Sequence, residues 1–136
     1  AHVAMLYTAD HGENIYDDSR ELFLHSSPRP SYYDMHVPFV VLTSPEYRTA
    51  YPDIMASLAA NRQKPVSSNA AVFHTMLSLA GISTPVLDSS QSLASPAYRC
   101  EARYYLNDHN EPVSITRLKL SAEDLDMFRR YRLSYK

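Results

Sequence analysis

An apolar run from Val3 to Tyr7 empties directly into Thr8-Ala9-Asp10-His11-Gly12-Glu13, and no other stretch of this chain restricts its fold as much. The run reads as a buried strand, continuous in its apolar character as parallel sheets require. Gly12 lets the backbone turn tightly just past the strand end. Placed in that turn are a carboxylate, Asp10, and an imidazole, His11, a donor pair that divalent zinc accepts readily. The chain opens inside the strand without an initiating Met, which predicts the C-terminal part of a metalloenzyme domain.

Two adjacent ligands hold zinc weakly, because structural sites use four and catalytic sites use three plus an open position. His25, in Phe23-Leu24-His25-Ser26, is the candidate for a further ligand, in the loop that leaves the strand. Glu13 is a candidate to orient His11 or Asp10 without itself ligating. Asp-His-Gly is also a turn signal, since Asp caps and Gly tolerates positive φ, so a purely structural turn stays open. His25 alone reads equally as a loop histidine. His36, just before a second strand, either lines the site or caps that strand; His74 reads as a satisfied helix histidine, and His2 and His109 carry no signal.

With 136 residues, 45% of them hydrophobic, the chain has the size and core material of one domain. A net charge of −2 gives no basic field for nucleic acid. No apolar stretch approaches the roughly 18 to 20 residues of a membrane span, and no signal-peptide pattern opens the chain. As given it is expected to be soluble, with room for an anchor upstream. Cys100 is the only cysteine, so no disulfide closes within the chain, and nine prolines against two glycines favour stiff loops.

Residues 12–36 read as a long polar loop folded over the metal end of the sheet. A strand follows from Val37 to Thr43, with Pro38 at its start. Ser44-Pro45-Glu46 opens a helical region in the order of N-cap then first-turn proline, with Tyr47, Tyr51, Ile54, Met55 and Leu58 on one face and Pro52 placed to split it. A second helix spans about Asn69 to Ala80, capped by Ser68, stopped by Gly81 and buried through Phe73, Met76, Leu77 and Ala80. Residues 83–99 read as loop. Arg103 to Asn107 and Val113 to Leu120 read as an antiparallel hairpin turned at Asp108-His109-Asn110. Ser121-Ala122-Glu123-Asp124 starts a last helix bearing Leu125, Phe128 and Tyr131. Its basic end, Arg129, Arg130, Arg132 and Lys136, reads as a solvated face. The layout is α/β with an incomplete sheet.

The segments Leu6-Tyr7-Thr8-Ala9-Asp10-His11-Gly12-Glu13, Phe23-Leu24-His25, His36-Val37-Pro38-Phe39-Val40-Val41 and Phe73 to Ile82 occur in the order found in phosphoethanolamine transferases. The chain thus resembles that family, a sulfatase-like branch of the alkaline phosphatase superfamily, over about residues 3–90. The resemblance implies one partial domain over 1–136, the C-terminal part of an alkaline-phosphatase-like α/β/α sandwich with a terminal antiparallel hairpin and helix. It implies that Asp10 and His11 ligate zinc or another divalent metal, and that His25 serves a second metal position or contacts substrate phosphate, with Glu13 and His36 supporting. It implies a threonine nucleophile upstream of this chain, and so an inactive isolated chain. The implied reaction passes phosphoethanolamine from phosphatidylethanolamine, through a covalent phospho-threonine, to lipid A or another envelope glycan. The implied partners are that phospholipid donor, the glycan acceptor and the upstream half of the same domain, in an inner-membrane protein whose catalytic domain faces the periplasm. Asn69-Ala70 departs from a His-Asp common in the family. A sulfatase or phosphodiesterase of the same superfamily shares the strand-Asp-His-Gly arrangement and is the alternative enzyme; a non-catalytic domain is the alternative of another class.

Overall fold

Pairing of two short apolar strands organises the first part of the structure. The computed structural model describes residues 1–25, 30–66, 68–100, 103–107 and 109–133, with positions 68 and 69 described by backbone alone. They group into two compact units, one of Ala1–Tyr7 with Phe39–Glu101 and one of Thr8–Pro38 with Ala102–Lys136. The expected Ser68 cap, the loop proline Pro28, the turn residue Asp108 and Lys136 lie outside what is described.

Strand β1 (Ala4–Thr8) pairs with β4 (Phe39–Thr43), and the Ser44 N–H donates to the Val3 carbonyl at 2.9 Å. Three helices lie in the same unit: α2 (Pro45–Ala50), α3 (Pro52–Asn61) and α4 (Ser68–Leu79). Proline occupies the first turn of both α2 and α3, where its missing N–H costs nothing, and Pro52 does divide the region as the sequence predicts. The Ser44 hydroxyl accepts the Tyr47 N–H at 3.1 Å, capping α2. Tyr47, Leu79 and Ala94 form the core, with Ala4, Val41, Ile54, Met55 and Leu58 packed against it, and the Tyr47 hydroxyl donates to the Leu79 carbonyl.

Strand burial differs from expectation. Both β1 and β4 alternate, with Ala4, Leu6, Val41 and Thr43 half-buried towards the helices and Met5, Tyr7, Val40 and Leu42 exposed. The helices pack on one face only, so a two-residue period replaces the expected burial on both faces.

Helix α4 is also rotated relative to the predicted face. Ala71, Thr75 and Leu79 are buried, whereas Phe73 and Met76 are exposed. The segment expected to be plain loop is responsible, because it docks on that stripe. Leu93 N–H donates to Thr75 Oγ1 at 3.0 Å, the Ser92 hydroxyl bonds Ser78, and Asn61 Nδ2 donates to the carbonyls of Leu93 and Ser95. Gly81 ends the helix with φ +67, and the Ile82 N–H reaches back to the Leu77 carbonyl at 2.9 Å, a left-handed stop that glycine makes at low cost.

In the second unit, the described residues of the 12–36 segment form regular elements where the sequence predicts a loop. Strands β2 (Asn14–Ile15) and β3 (Phe23–Leu24) form an antiparallel hairpin, followed by the short helix α1 (Tyr32–Met35). Aspartates shape the hairpin connection: Asp17 accepts the Ile15 N–H and Asp18 accepts the Arg20 N–H, while the Tyr16 N–H bonds the Leu22 carbonyl. Ser31 and Asp34 form a capping box on α1. The predicted C-terminal hairpin is present as β5 (Tyr104–Leu106) and β6 (Pro112–Ser114), although a 3-10 turn at Ile115–Arg117 cuts the second strand short. Helix α5 (Ala122–Arg130) starts in the predicted Ser121/Asp124 capping box and buries Phe128.

Asp124 does more than cap. Its carboxylate takes both terminal nitrogens of Arg20 at 2.9 Å and the Tyr32 N–H at 2.8 Å, and Arg20 also grips Asp18. Burial pushes the Asp124 carboxyl up, but the Arg20 guanidinium, the Tyr32 N–H and the Ser121 hydroxyl more than offset this, leaving it below the usual aspartate value. A depressed folded value means the stabilisation is complete above the unfolded value of 3.8 and is lost as pH falls through the folded one. Asp124→Asn is expected to cost about 3 kcal/mol by urea unfolding near neutral pH, because it leaves Arg20 short of a buried partner. The gap between variant and wild type should then narrow below about pH 4. A gap that stays constant to pH 2 would contradict this role.

Candidate metal centre

Two residues beyond the end of β1, Asp10 and His11 sit where the backbone is pinned by Gly12. The Gly12 N–H donates to the Asp34 carbonyl at 2.9 Å, and a Cβ at Gly12 would stand 1.7 Å from the Tyr33 carbonyl oxygen. Close approach of α1, and not a positive φ, is therefore what demands glycine here; the only glycine in the left-handed region is Gly81.

Hydrogen bonding fixes the tautomer of His11. Its Nδ1 lies 2.9 Å from the Gly12 carbonyl oxygen, which only accepts, so Nδ1 carries the proton and Nε2 keeps its lone pair in the neutral ring. Asp10 Oδ2 lies 3.7 Å from that Nε2, while Asp10 Oδ1 accepts the His11 N–H. The Gly12 carbonyl raises the His11 pKa, opposed by desolvation and assisted by Asp10 and Glu13. Asp10 is lowered by the His11 N–H and its own N–H, with the His11 ring adding to the effect.

Hairpin register brings in the rest. Asn14 opposes Leu24, so the next residues outward, Glu13 and His25, meet across the strands. His25 Nδ1 lies 2.5 Å from Glu13 Oε1, again an acceptor, which leaves its Nε2 free. The His11 and His25 rings stack with centroids 3.7 Å apart. One donor atom from each of His11, Glu13 and His25 lies within 4.8 Å of the others. Asn14 anchors the arrangement from below: its buried amide donates to the Leu24 carbonyl and to Asp34, and its oxygen accepts from Ser31.

The donor set fits a divalent metal of zinc type. Two imidazoles with free Nε2 atoms and one or two carboxylates are borderline donors. Ligand atoms on tetrahedral zinc stand roughly 3.4 Å apart; Asp10 Oδ2 lies 3.7 Å from His11 Nε2, and one donor atom from each of His11, Glu13 and His25 lies within 4.8 Å of the others.

Of the residues singled out from the sequence, Asp10, His11 and His25 lie in this region. His36 does not join the donor group; its Nδ1 pairs with the Tyr32 hydroxyl at 2.7 Å, and desolvation lowers its pKa. Glu13, read from the sequence as a supporting residue, stands among the possible donors, and the signal for it was the hairpin register. His74 Nδ1 accepts the Asp88 N–H and is structural.

Comparison with known proteins follows the same lines. A family model described as Sulfatase matches residues 2–82. The chain is similar to the phosphoethanolamine transferase CptA of Salmonella typhimurium strain LT2, 25% identical over 108 residues, which are 79% of this chain and 18% of that protein. It is also similar in fold to the crystal structure of the C-terminal periplasmic domain of EcEptC from Escherichia coli, with a TM-score of 0.63, 21% identity, and coverage of 85% of this chain and 33% of that one. The zinc complex of the same domain gives a TM-score of 0.61 at 21% identity. The chain thus spans about a fifth of the curated relative and about a third of the solved domain, and its fold is the corresponding part of an alkaline-phosphatase-like α/β domain.

Gly12→Ala is expected to cost about 3 kcal/mol in urea unfolding, since a methyl group would be driven into backbone. A change under about 0.5 kcal/mol would show that the Tyr33 carbonyl does not hold this position.

Proposed function

The chain belongs to the sulfatase family, and from that premise we propose that it supplies part of a divalent-metal site for transfer of phosphoethanolamine from a phosphatidylethanolamine donor to a glycan acceptor of the cell envelope, such as lipid A. Supporting this reading are the likeness to a phosphoethanolamine transferase and the fold shared with a periplasmic domain that is also known as a zinc complex. The single observation that carries the site is the stacked pair of histidines, His11 and His25, with Glu13 against both rings and Asp10 against His11.

Asp10 and His11 would hold the metal, with His25 and Glu13 at a second cation position or at the substrate phosphate. A divalent cation there lowers the pKa of a hydroxyl nucleophile and neutralises phosphoryl charge. The protein's own contribution is orientation. The Gly12 carbonyl and the Glu13 carboxylate each hold an imidazole N–H, so neither ring needs to reorder when it meets a cation or a phosphoryl oxygen. The two rings stack with centroids 3.7 Å apart, which brings both imidazoles to one small region.

A threonine nucleophile, as the resemblance implies, matches no position here, so the chain alone is proposed to be inactive. Among the described residues no helix is long and apolar enough to cross a membrane, and a periplasmic location rests on the relatives. The family description keeps a second enzyme reading, sulfate- or phosphodiester hydrolysis; release of sulfate from an aryl sulfate by the complete protein, with no transfer from phosphatidylethanolamine, would select it.

Zinc titration by calorimetry tests the site. His11→Ala is expected to weaken zinc by more than the about 10- to 100-fold typical of losing an outer-shell partner, and Asp10→Ala by at least that range. His36→Ala should leave zinc affinity within about twofold, since the range applies to groups that orient a ligand. Equal affinities in wild type, Asp10→Ala and His11→Ala would return Asp-His-Gly to a structural turn. Turnover of a fluorescent phosphatidylethanolamine by this polypeptide alone would contradict the proposed inactivity.

A further inference from the structure

Leu24 holds a backbone conformation that its place in a strand does not require. It ends β3, directly before His25, yet its φ is +65°, where antiparallel strand residues take about −140°. Tyr16 and Glu21 are left-handed too, but they lie in the connection between the strands, where the bonds Tyr16 N–H to Leu22 carbonyl and Glu21 N–H to Asp18 carbonyl hold them. Leucine is disfavoured in this region because its Cβ crowds the following carbonyl oxygen. The Leu24 side chain is 54% exposed, so its packing does not offset the strain.

The offset comes from Asn14. Its Nδ2 donates to the Leu24 carbonyl at 2.8 Å and to Asp34 Oδ1 at 2.7 Å, and its Oδ1 accepts the Ser31 hydroxyl at 2.6 Å. Nδ2 thus faces two groups that only accept, which fixes the orientation of the buried amide. Rotation about the Leu24 N–Cα bond swings the Leu24 carbonyl and His25 together. Return of φ to the strand region, a turn of more than a right angle, would take the carbonyl off Asn14 and carry His25 away from Glu13 and the His11 ring. The Glu13–His25 bond is the weaker anchor, because the two side chains are 41% and 39% exposed and water competes for both. Asp34 is the common reference for both histidines. Its carbonyl takes the Gly12 N–H just after His11, and its carboxylate takes the Asn14 amide.

We propose that Asn14 is the positioning residue for His25: through the Leu24 carbonyl it holds Leu24 left-handed and so keeps the His25 ring against Glu13 and His11. What His25 then does rests on the metal reading of this site; its placement does not.

The test is NMR of the metal-free chain labelled at histidine, read as cross-relaxation between the His11 and His25 rings, on variants whose amide spectra are those of a folded protein. Leu24→Gly should keep the ring contact, because glycine takes positive φ freely. Leu24→Val should lose it with Asn14 intact, because a β-branched residue is a true outlier there. Asn14→Ala should lose it, and Asn14→Ala combined with Leu24→Gly should regain it, a rescue that an asparagine serving only fold stability would not show. If Asn14→Ala does not fold, Leu24→Val decides. Ring contact that survives Leu24→Val or Asn14→Ala, or a folded Asn14→Ala that Leu24→Gly does not rescue, overturns the proposal. Calorimetry with zinc and then inorganic phosphate separates this from the metal reading. Affinity that His25→Ala loses should fall about 10- to 100-fold in Leu24→Val, as for a group that orients a ligand, and wild-type affinity in Leu24→Val would count against Asn14 and Leu24. Unchanged affinity for both probes in His25→Ala removes the metal reading of His25, and the ring contact still decides its placement.

Discussion

A single buried carboxylate holds together the part of the chain on which the candidate site is built. Asp124 accepts two bonds from Arg20, which lies in the β2–β3 connection, one from the first residue of α1, and two from the Ser121 cap of α5, through its N–H and its hydroxyl. A two-stranded hairpin of two residue pairs has almost no stability of its own in water. Its geometry is imposed by the ion pair at one end and by Asn14 at the other. Such a pair contributes little net stability compared with an apolar substitute of the same shape, but breaking it strands a charge. Its value here is positional.

Chemical readiness follows from that position. His11 and His25 each spend Nδ1–H on a fixed acceptor and keep Nε2 for something else. Both acceptors are local, a carbonyl one residue on and a carboxylate across the hairpin, so the tautomers are set before any ligand arrives. Paired imidazoles at stacking distance beside two carboxylates supply the nitrogen and oxygen donors that a divalent cation of zinc type accepts.

Local chemistry was legible in the sequence wherever it needs no partner. Pro45, Pro52, Ser44, Gly81 and the Ser121/Asp124 pair announce helix ends, and the structure places them there. Asp10, His11 and His25 stand out as donors by type and order. Contacts between distant residues were not legible. The β2–β3 hairpin depends on Arg20 meeting Asp124, 104 positions away, and on aspartate side chains that imitate backbone turns. For the same reason the placing of Glu13 opposite His25 escaped periodicity, and Gly12 reads as a turn residue until the Tyr33 carbonyl is seen above it. Helix α4 shows the limit of apolar patterning: Thr75 is buried and Phe73 exposed because a polar loop, not an apolar surface, covers that side.

X-ray absorption at the zinc edge of the loaded protein tests the central claim most directly. The account predicts a first shell of nitrogen and oxygen at about 2.0–2.1 Å, with the outer-ring scattering of imidazole, which weakens in His11→Ala. A shell of oxygen alone, unchanged when His11 is removed, would mean that the cation sits elsewhere and that the turn after β1 holds no metal.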